Sequence, residues 1–220
     1  VALVALAAAP AQAQGGSTCT LCNPGAKLEA RAENGVVSQM TVPKGRLTLA
    51  SLVMESPLNV GADAVHFLRY GATSRLDVGV GYWAEPGKLR PAANWQALQA
   101  RGERPAILVG YGSEPVGKWE DDGAYVSLVK PFGPREHRSQ AFLAYFREID
   151  GGTNHLIGGV LQPLGGRWSA FVGRYPFNSW DASVTYQFSP QVQVGVWVCD
   201  FARSSRRVAV SLGTGWKAGP

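Results

Sequence analysis

The chain is poor in charge, in cysteine and in long apolar runs, and each shortage closes off a class of protein. Asp, Glu, Lys and Arg together are only 17% of its 220 residues. The longest helix-like apolar run, Val1 to Ala9, stops at Pro10, well short of the roughly 20 residues a membrane-crossing helix needs. The basic residues exceed the acidic ones, giving a formal charge of +5, but they are scattered along the chain. A nucleic-acid protein would gather them on one element, so nucleic acid is not an expected partner. What the charge does support is a mildly positive lumen or rim that would attract anions.

The first residues read as a leader. VALVALAAA followed by Pro10 and then Ala11-Gln12-Ala13 has the short apolar core and small-x-small site of a secretory signal peptide. Residues 1–13 are therefore expected to be a truncated signal peptide, lacking its basic start, with Gln14 as the mature terminus. Residues 14–45, aperiodic and marked by the turn signals Asn23-Pro24-Gly25 and Asn34-Gly35, form an N-terminal periplasmic lead-in. An exported Cys19 and Cys22 pair is expected as a disulfide staple in this lead-in. The Cys-Thr-Leu-Cys spacing also fits a redox or zinc site, but no βαβ context and no further ligands lie nearby. Lipid attachment at Cys19 lacks a Leu-rich approach. No metal and no cofactor is expected.

What is abundant is alternation with a period of two. From Ala182 to Trp216, Val184, Tyr186 and Phe188 point one way, then Val192, Val194, Val196 and Val198, then Val208, Val210, Leu212, Thr214 and Trp216. The intervening positions are mostly small or polar. Each run is about ten residues, the length of a tilted strand crossing a bilayer. An apolar face that is uniform beside a small or polar one predicts an all-β, closed antiparallel transmembrane barrel, greasy outside, of about twelve strands (ten to twelve). The barrel spans residues 46–216, with 217–220 as a C-terminal tail.

The remaining strands follow from Arg46 onward. Leu47, Leu49, Ser51 and Val53 share a face, and so do Leu76, Val78, Val80 and Tyr82, and Ile107, Val109 and Tyr111. The run near Ala92 to Ala100 also carries a helical reading, but its short spacing to the next run favours a strand. The connections 71–74, 102–104, 133–137, 164–166 and 189–190 are brief and would be periplasmic. The longer, more polar 113–122 and 200–206 would face outward from the cell, with the compact 176–178 connection as an exception. Tyr82, Trp83, Trp119, Tyr175, Phe177, Trp180, Phe188 and Trp216 fall near strand ends, where an interfacial girdle belongs. The lumen-facing side is assigned Arg75, Asp77, Ser183, Thr185, Gln187, Gln193 and Trp197, with Trp95 on the same side. In a barrel of this size such side chains would leave a narrow pore or a plugged one.

From Gly45 to Trp216 the chain resembles the small bacterial outer-membrane β-barrels, porin-like members included. The run Arg75-Leu-Asp-Val-Gly-Val-Gly-Tyr82 after Tyr70-Gly71, the run Arg104-Pro-Ala-Ile-Leu-Val-Gly110 and the closing Val-Ser-Leu-Gly-Thr-Gly-Trp216 carry the resemblance. It implies outer-membrane lipid and the barrel-assembly machinery as partners. That machinery reads a terminal strand, here followed by Lys217-Ala-Gly-Pro220. Small polar solutes are the cargo such a barrel would take, and oligomeric state is left open. The alternative is a structural or envelope-anchoring barrel without transport.

An enzyme is the third reading. Outer-membrane phospholipases and lipid A deacylases place a His and a Ser two residues apart on one strand, and His137-Arg138-Ser139 has that spacing. The Asn that follows the Ser in the phospholipase motif is Gln140 here, and His137 falls in a periplasmic turn, so the expectation is a non-enzyme. His66 and His155 are isolated in sequence. Glu120-Asp121-Asp122 lacks a following ligand pattern for calcium and reads as a solvated loop tip.

Overall fold

The computed structural model describes residues 30–32, 35–37, 41–55, 62–84, 87–100, 104–112, 123–133, 139–149, 152–175, 179–189, 191–199 and 207–218. The leader, Cys19, Cys22, Trp119, the acidic triplet 120–122, His137 and Phe177 lie outside them. Every regular element among the described residues is a strand. The short β1 (Ala30–Ala32) and β2 (Gly35–Val37) form a two-stranded antiparallel sheet. The other twelve are β3 (Arg46–Glu55), β4 (Ala62–Gly71), β5 (Leu76–Trp83), β6 (Lys88–Leu98), β7 (Ala106–Gly112), β8 (Gly123–Phe132), β9 (Ser139–Glu148), β10 (Asn154–Gly165), β11 (Trp168–Tyr175), β12 (Ser179–Ser189), β13 (Val192–Cys199) and β14 (Arg207–Lys217). They pair antiparallel in sequence order, and β14 returns to β3 to close the barrel.

Closure removes the sheet edges, so every strand has a partner on both sides. That is what lets a sheet sit in lipid, where no water meets a free N–H or C=O. Side chains then sort by alternation alone. Val184, Val196, Val210 and Val53 stand opposite one another across β12, β13, β14 and β3, and all four are exposed on the outer face. Their neighbours in sequence point inward: Val196 is 52% exposed while Trp197 is 1% exposed. Most exposed large side chains along the strands are Val, Leu, Tyr, Phe or Trp, with exposed Lys88, Lys130, Arg147, Gln162, Arg174 and Lys217 among them, which makes the outer face a largely apolar, lipid-facing band.

Aromatic residues border that band. Tyr70, Trp95, Phe132, Trp168, Phe188 and Trp216 lie on its outer face toward the end that carries the chain termini. Toward the opposite end stand Tyr82, Tyr111, Tyr145 and Trp180. Trp168 packs on Tyr186 with ring centroids 4.7 Å apart, and Tyr186 meets Phe188 edge-on at 4.8 Å. Two rows of amphipathic rings at the two rims match the interfacial girdles of a membrane barrel. Trp83 does not belong to them. It is buried and points inward, because Tyr82 takes the outward position and the period of two then turns its neighbour to the lumen.

Strand bounds separate the two ends less cleanly than the sequence reading expects: 99–105 at the terminal end is longer than 84–87 at the other, which joins 176–178 as a short connection there. Bulges at Ala97, Leu164 and Phe188 sit next to three of the terminal-end connections, each inserting one residue and bending its strand.

Candidate functional site: the lumen of the barrel

One hydrogen-bonded row of residues crosses the lumen wall from β5 to β10. Asp77 stands opposite Asn94, Asn94 opposite Gly110, Gly110 opposite Tyr125, Tyr125 opposite Phe146, and Phe146 opposite His155. Asp77 lies near the terminal end of β5 and His155 near the far end of β10, so the row climbs through the barrel as strand tilt requires. Its side chains are linked. Asn94 Nδ2 donates to Asp77 Oδ1 at 3.1 Å, and the Tyr125 hydroxyl donates to Asn94 Oδ1. The His155 ring stacks on Phe146 with centroids 6.1 Å apart, and its Nε2 meets Glu148 Oε1.

Glycine makes the row possible. A Cβ on Gly110 would collide with the Tyr125 ring, so the bare backbone of β7 lets that ring reach across to Asn94 on β6. Phe171 likewise lies over the positions where Cβ atoms of Gly159 and Gly173 would stand. It continues against Phe142 at 6.1 Å and Trp197 at 5.5 Å. The inner face is therefore not only small and polar. On β4, β5, β8, β9 and β11 it carries Phe67, Trp83, Tyr125, Phe146 and Phe171, all buried, each large ring filling space that glycine leaves on its own or the adjoining strand.

The opposite wall is hydroxyl-rich. Ser183 and Thr185 of β12, Gln193 of β13, Ser211 of β14 and Thr48 of β3 are all buried on the inner face. Trp197 Nε1 donates to Ser211 Oγ at 3.0 Å. Gly195 sits between Thr185 and Ser211 in register, where an added Cβ would stand 2.6 Å from Ser211 Oγ and 2.9 Å from Thr185 Oγ1. Among the described residues, Thr48 Oγ1, Ser183 Oγ and Trp83 Nε1 are buried polar atoms with no hydrogen-bond partner.

A backbone strap lies against the wall at the terminal end. Thr41 and Val42 are fully buried, and the Val42 amide donates to Asp77 Oδ2 at 2.9 Å. Arg69 Nη2 reaches Asp77 Oδ1 at 2.8 Å, with both side chains almost wholly buried. Lys44 bridges to Gly71, whose missing Cβ leaves room for the Pro43 carbonyl. Gly45 at φ 71° donates to the Gly71 carbonyl at 2.8 Å and accepts from the Ala218 amide at 2.8 Å. A side chain there would be strained, which is the reason for glycine at the corner.

The residues expected at the lumen fall as follows. Asp77, Ser183, Thr185, Gln193 and Trp197 are buried opposite the lipid-facing valines, and Gln187 is half-buried beside the β12 bulge. Arg75 is not in the wall. It lies exposed in the turn before β5, where the Thr73 hydroxyl oxygen accepts from the amides of Arg75 and Leu76. Trp95 faces lipid, and its neighbours Asn94 and Gln96 take the inner positions. Ser139 is buried at the start of β9 and donates to Gln162 Oε1. Arg69, Asn94 and Tyr125 went unassigned in the sequence. The signal for them was the parity that Asp77 shares through the inward glycines of β5 and β7.

The closed sheet, apolar outside and bordered by aromatic rings, is a transmembrane barrel of the bacterial outer-membrane type. No family model and no curated protein matches the chain. Among solved structures it is similar to an outer membrane channel from Pseudomonas putida F1, at 9% identity and a TM-score of 0.46, covering 86% of this chain and 100% of that one. It is also similar to the low-pH structure of Pseudomonas putida OprB, at 14% identity and a TM-score of 0.35, covering 76% of this chain and 62% of that one.

Proposed function

We propose that the protein is a porin-like outer-membrane channel whose narrow lumen passes small polar solutes. The supporting observation is the closed barrel whose inner face carries the polar side chains Thr48, Asn94, Ser183, Thr185, Gln193 and Ser211. A barrel that served only as an anchor would gain by filling these positions with apolar side chains, because a polar group buried without a partner costs about 1–3 kcal/mol.

The charges of the lumen support small, uncharged cargo over ions. Arg69 is matched by Asp77, His155 lies against Glu148, and Asp181, buried on β12, is also engaged, while the side chains from Ser183 to Thr48 are neutral. The strap at Val42 and the ring of Phe171 take up space on the inner face. Outer-membrane lipid surrounds the valine rows in this reading, and the assembly machinery reads β14 with its Trp216. No cofactor, metal or chemical step enters it.

Reconstitution into planar bilayers tests the proposal. Discrete openings of low conductance are expected, together with swelling of vesicles in small neutral solutes. Folded barrel that stays silent over many insertions would overturn the channel and leave the anchoring barrel in its place.

A further inference from the structure

The lipid-facing side holds a polar pair that the channel does not use. Ser51 and His66 stand opposite each other on β3 and β4, at positions whose neighbours on the same face, Val53 and Leu68, are exposed to lipid. The Ser51 Oγ and His66 Nδ1 lie 2.9 Å apart. His66 is also opposite Tyr82 on β5, and the two rings stack with centroids 6.3 Å apart and planes 14° apart. On an otherwise apolar face a leucine or valine would serve the fold as well as either residue. Two such residues, in contact and one of them an imidazole, call for a role.

Depth follows from register. The row containing the pair runs Leu89, Tyr82, His66, Ser51, Leu212, Val194, Tyr186, Trp168. It begins at the aromatic rim opposite the termini and ends at the rim beside them. Strands about 4.8 Å apart and tilted about 40° lower such a row by about 3 Å per strand. His66 therefore sits about 3 Å, and Ser51 about 6 Å, inside the level of Tyr82. Aromatic girdles mark the headgroup level, so the pair lies where the acyl esters of a packed lipid begin.

We propose that Ser51 and His66 are a nucleophile and base acting on acyl esters of membrane lipids that pack against β3 and β4. The hydroxyl and imidazole are within the distance that proton transfer requires. Ser51 Oγ would attack the ester carbonyl carbon while its proton passes to His66. The bond from that carbon to the alcohol oxygen breaks, and His66 returns the proton to the departing alkoxide. Interfacial water then attacks the acyl-Ser51 ester, giving one proton through His66 to Ser51 Oγ, and the fatty acid leaves. Tyr82 is a positioning residue that fixes the imidazole plane. This activity lies on the outer face and stands or falls independently of the channel.

The experiment uses the full chain folded in phosphatidylethanolamine and phosphatidylglycerol vesicles that contain a fluorescent-acyl phospholipid, with a long-chain alkyl fluorophosphonate as a covalent probe. Release of labelled fatty acid and a phosphonyl adduct on Ser51 are expected. Ser51→Ala should abolish both, and His66→Gln should slow both by about 100-fold or more. Tyr82→Phe should keep the rates that Tyr82→Ala lowers. Heat-modifiable gel mobility equal to that of the wild type would show that each variant is folded. Wild-type barrel that neither takes up the probe on Ser51 nor releases acid overturns the proposal, and so does a Ser51→Ala protein that still releases acid at the wild-type rate.

Discussion

The Val42 amide donates to Oδ2 of Asp77 at 2.9 Å, while the other carboxylate oxygen of Asp77 receives Arg69 and Asn94. One side chain thus ties the chain ahead of the first barrel strand to three strands of the wall, and it does so inside the lumen. Because Asp77 is fully buried, the carboxylate has no water to replace a partner that is taken away. Asp77→Ala would release the Val42 strap and leave Arg69 buried without its carboxylate. Removing one partner of a buried pair typically costs about 3–5 kcal/mol. Urea titration of the vesicle-folded protein should show a loss in that range, and single-channel conductance should rise as the strap loosens.

The Tyr125 hydroxyl reaches Asn94 only because Gly110 lies between them without a side chain. Tyr125→Phe should cost about 1 kcal/mol for the lost hydrogen bond. Gly110→Val should cost about 1–3 kcal/mol, since the tyrosine ring must move off its path. Residues that share a hydrogen bond are not additive. The double variant Tyr125→Phe with Asn94→Ala is therefore expected to lose less than the sum of the two single losses, as measured by denaturant unfolding in vesicles. Full additivity would mean that the contact contributes nothing.

Much of this architecture is legible in the sequence, and the parts that are not share a cause. Strand number and outward identity follow from alternation, because the lipid face is mostly apolar and the Val184, Val196, Val210 and Val53 row is uniform. The inner face has no such uniformity. Gly110 and Gly159 look like empty lumen when read one strand at a time, but each is a space occupied by Tyr125 or Phe171, residues on neighbouring strands. Only the register shows who fills it. The same limit hid the pairing of His66 with Ser51 and of Arg69 with Asp77, since strand alternation says which face a residue takes and nothing about its neighbour across the sheet. Arg75 misled for the opposite reason: parity carries an assignment past the strand end, where the turn around Thr73 cancels it.

Membrane depth can be read from the valine rows. Val196 lies midway along β13 and Val192 at its start beside the turn 190–191. An arginine on the lipid face costs about 2–4 kcal/mol at the bilayer midplane and about 0–1 near an interface. Val196→Arg should therefore destabilise the vesicle-folded barrel severalfold more than Val192→Arg, and equal losses would contradict the placement of the lipid band.

Sidedness at single-residue spacing gives the most direct check on the barrel wall. Ser183 and Val184 are neighbours on β12, and the first is buried in the lumen while the second is exposed outside. Cysteines placed there one at a time, as Ser183→Cys and Val184→Cys, need a background in which Cys19, Cys22 and the buried Cys199 are serine. A charged thiol reagent travels through water and a long-chain maleimide through lipid. The Val184 variant should react with the lipid-soluble reagent alone, because its side chain touches only hydrocarbon. The Ser183 variant should be inert to that reagent and should react slowly with the charged one, at a rate set by how often the lumen admits a molecule of that size. Opening the strap with Asp77→Ala should speed this second reaction and leave the first unchanged. If both cysteines answered to the same reagent, the period of two would not divide lipid from lumen on this strand.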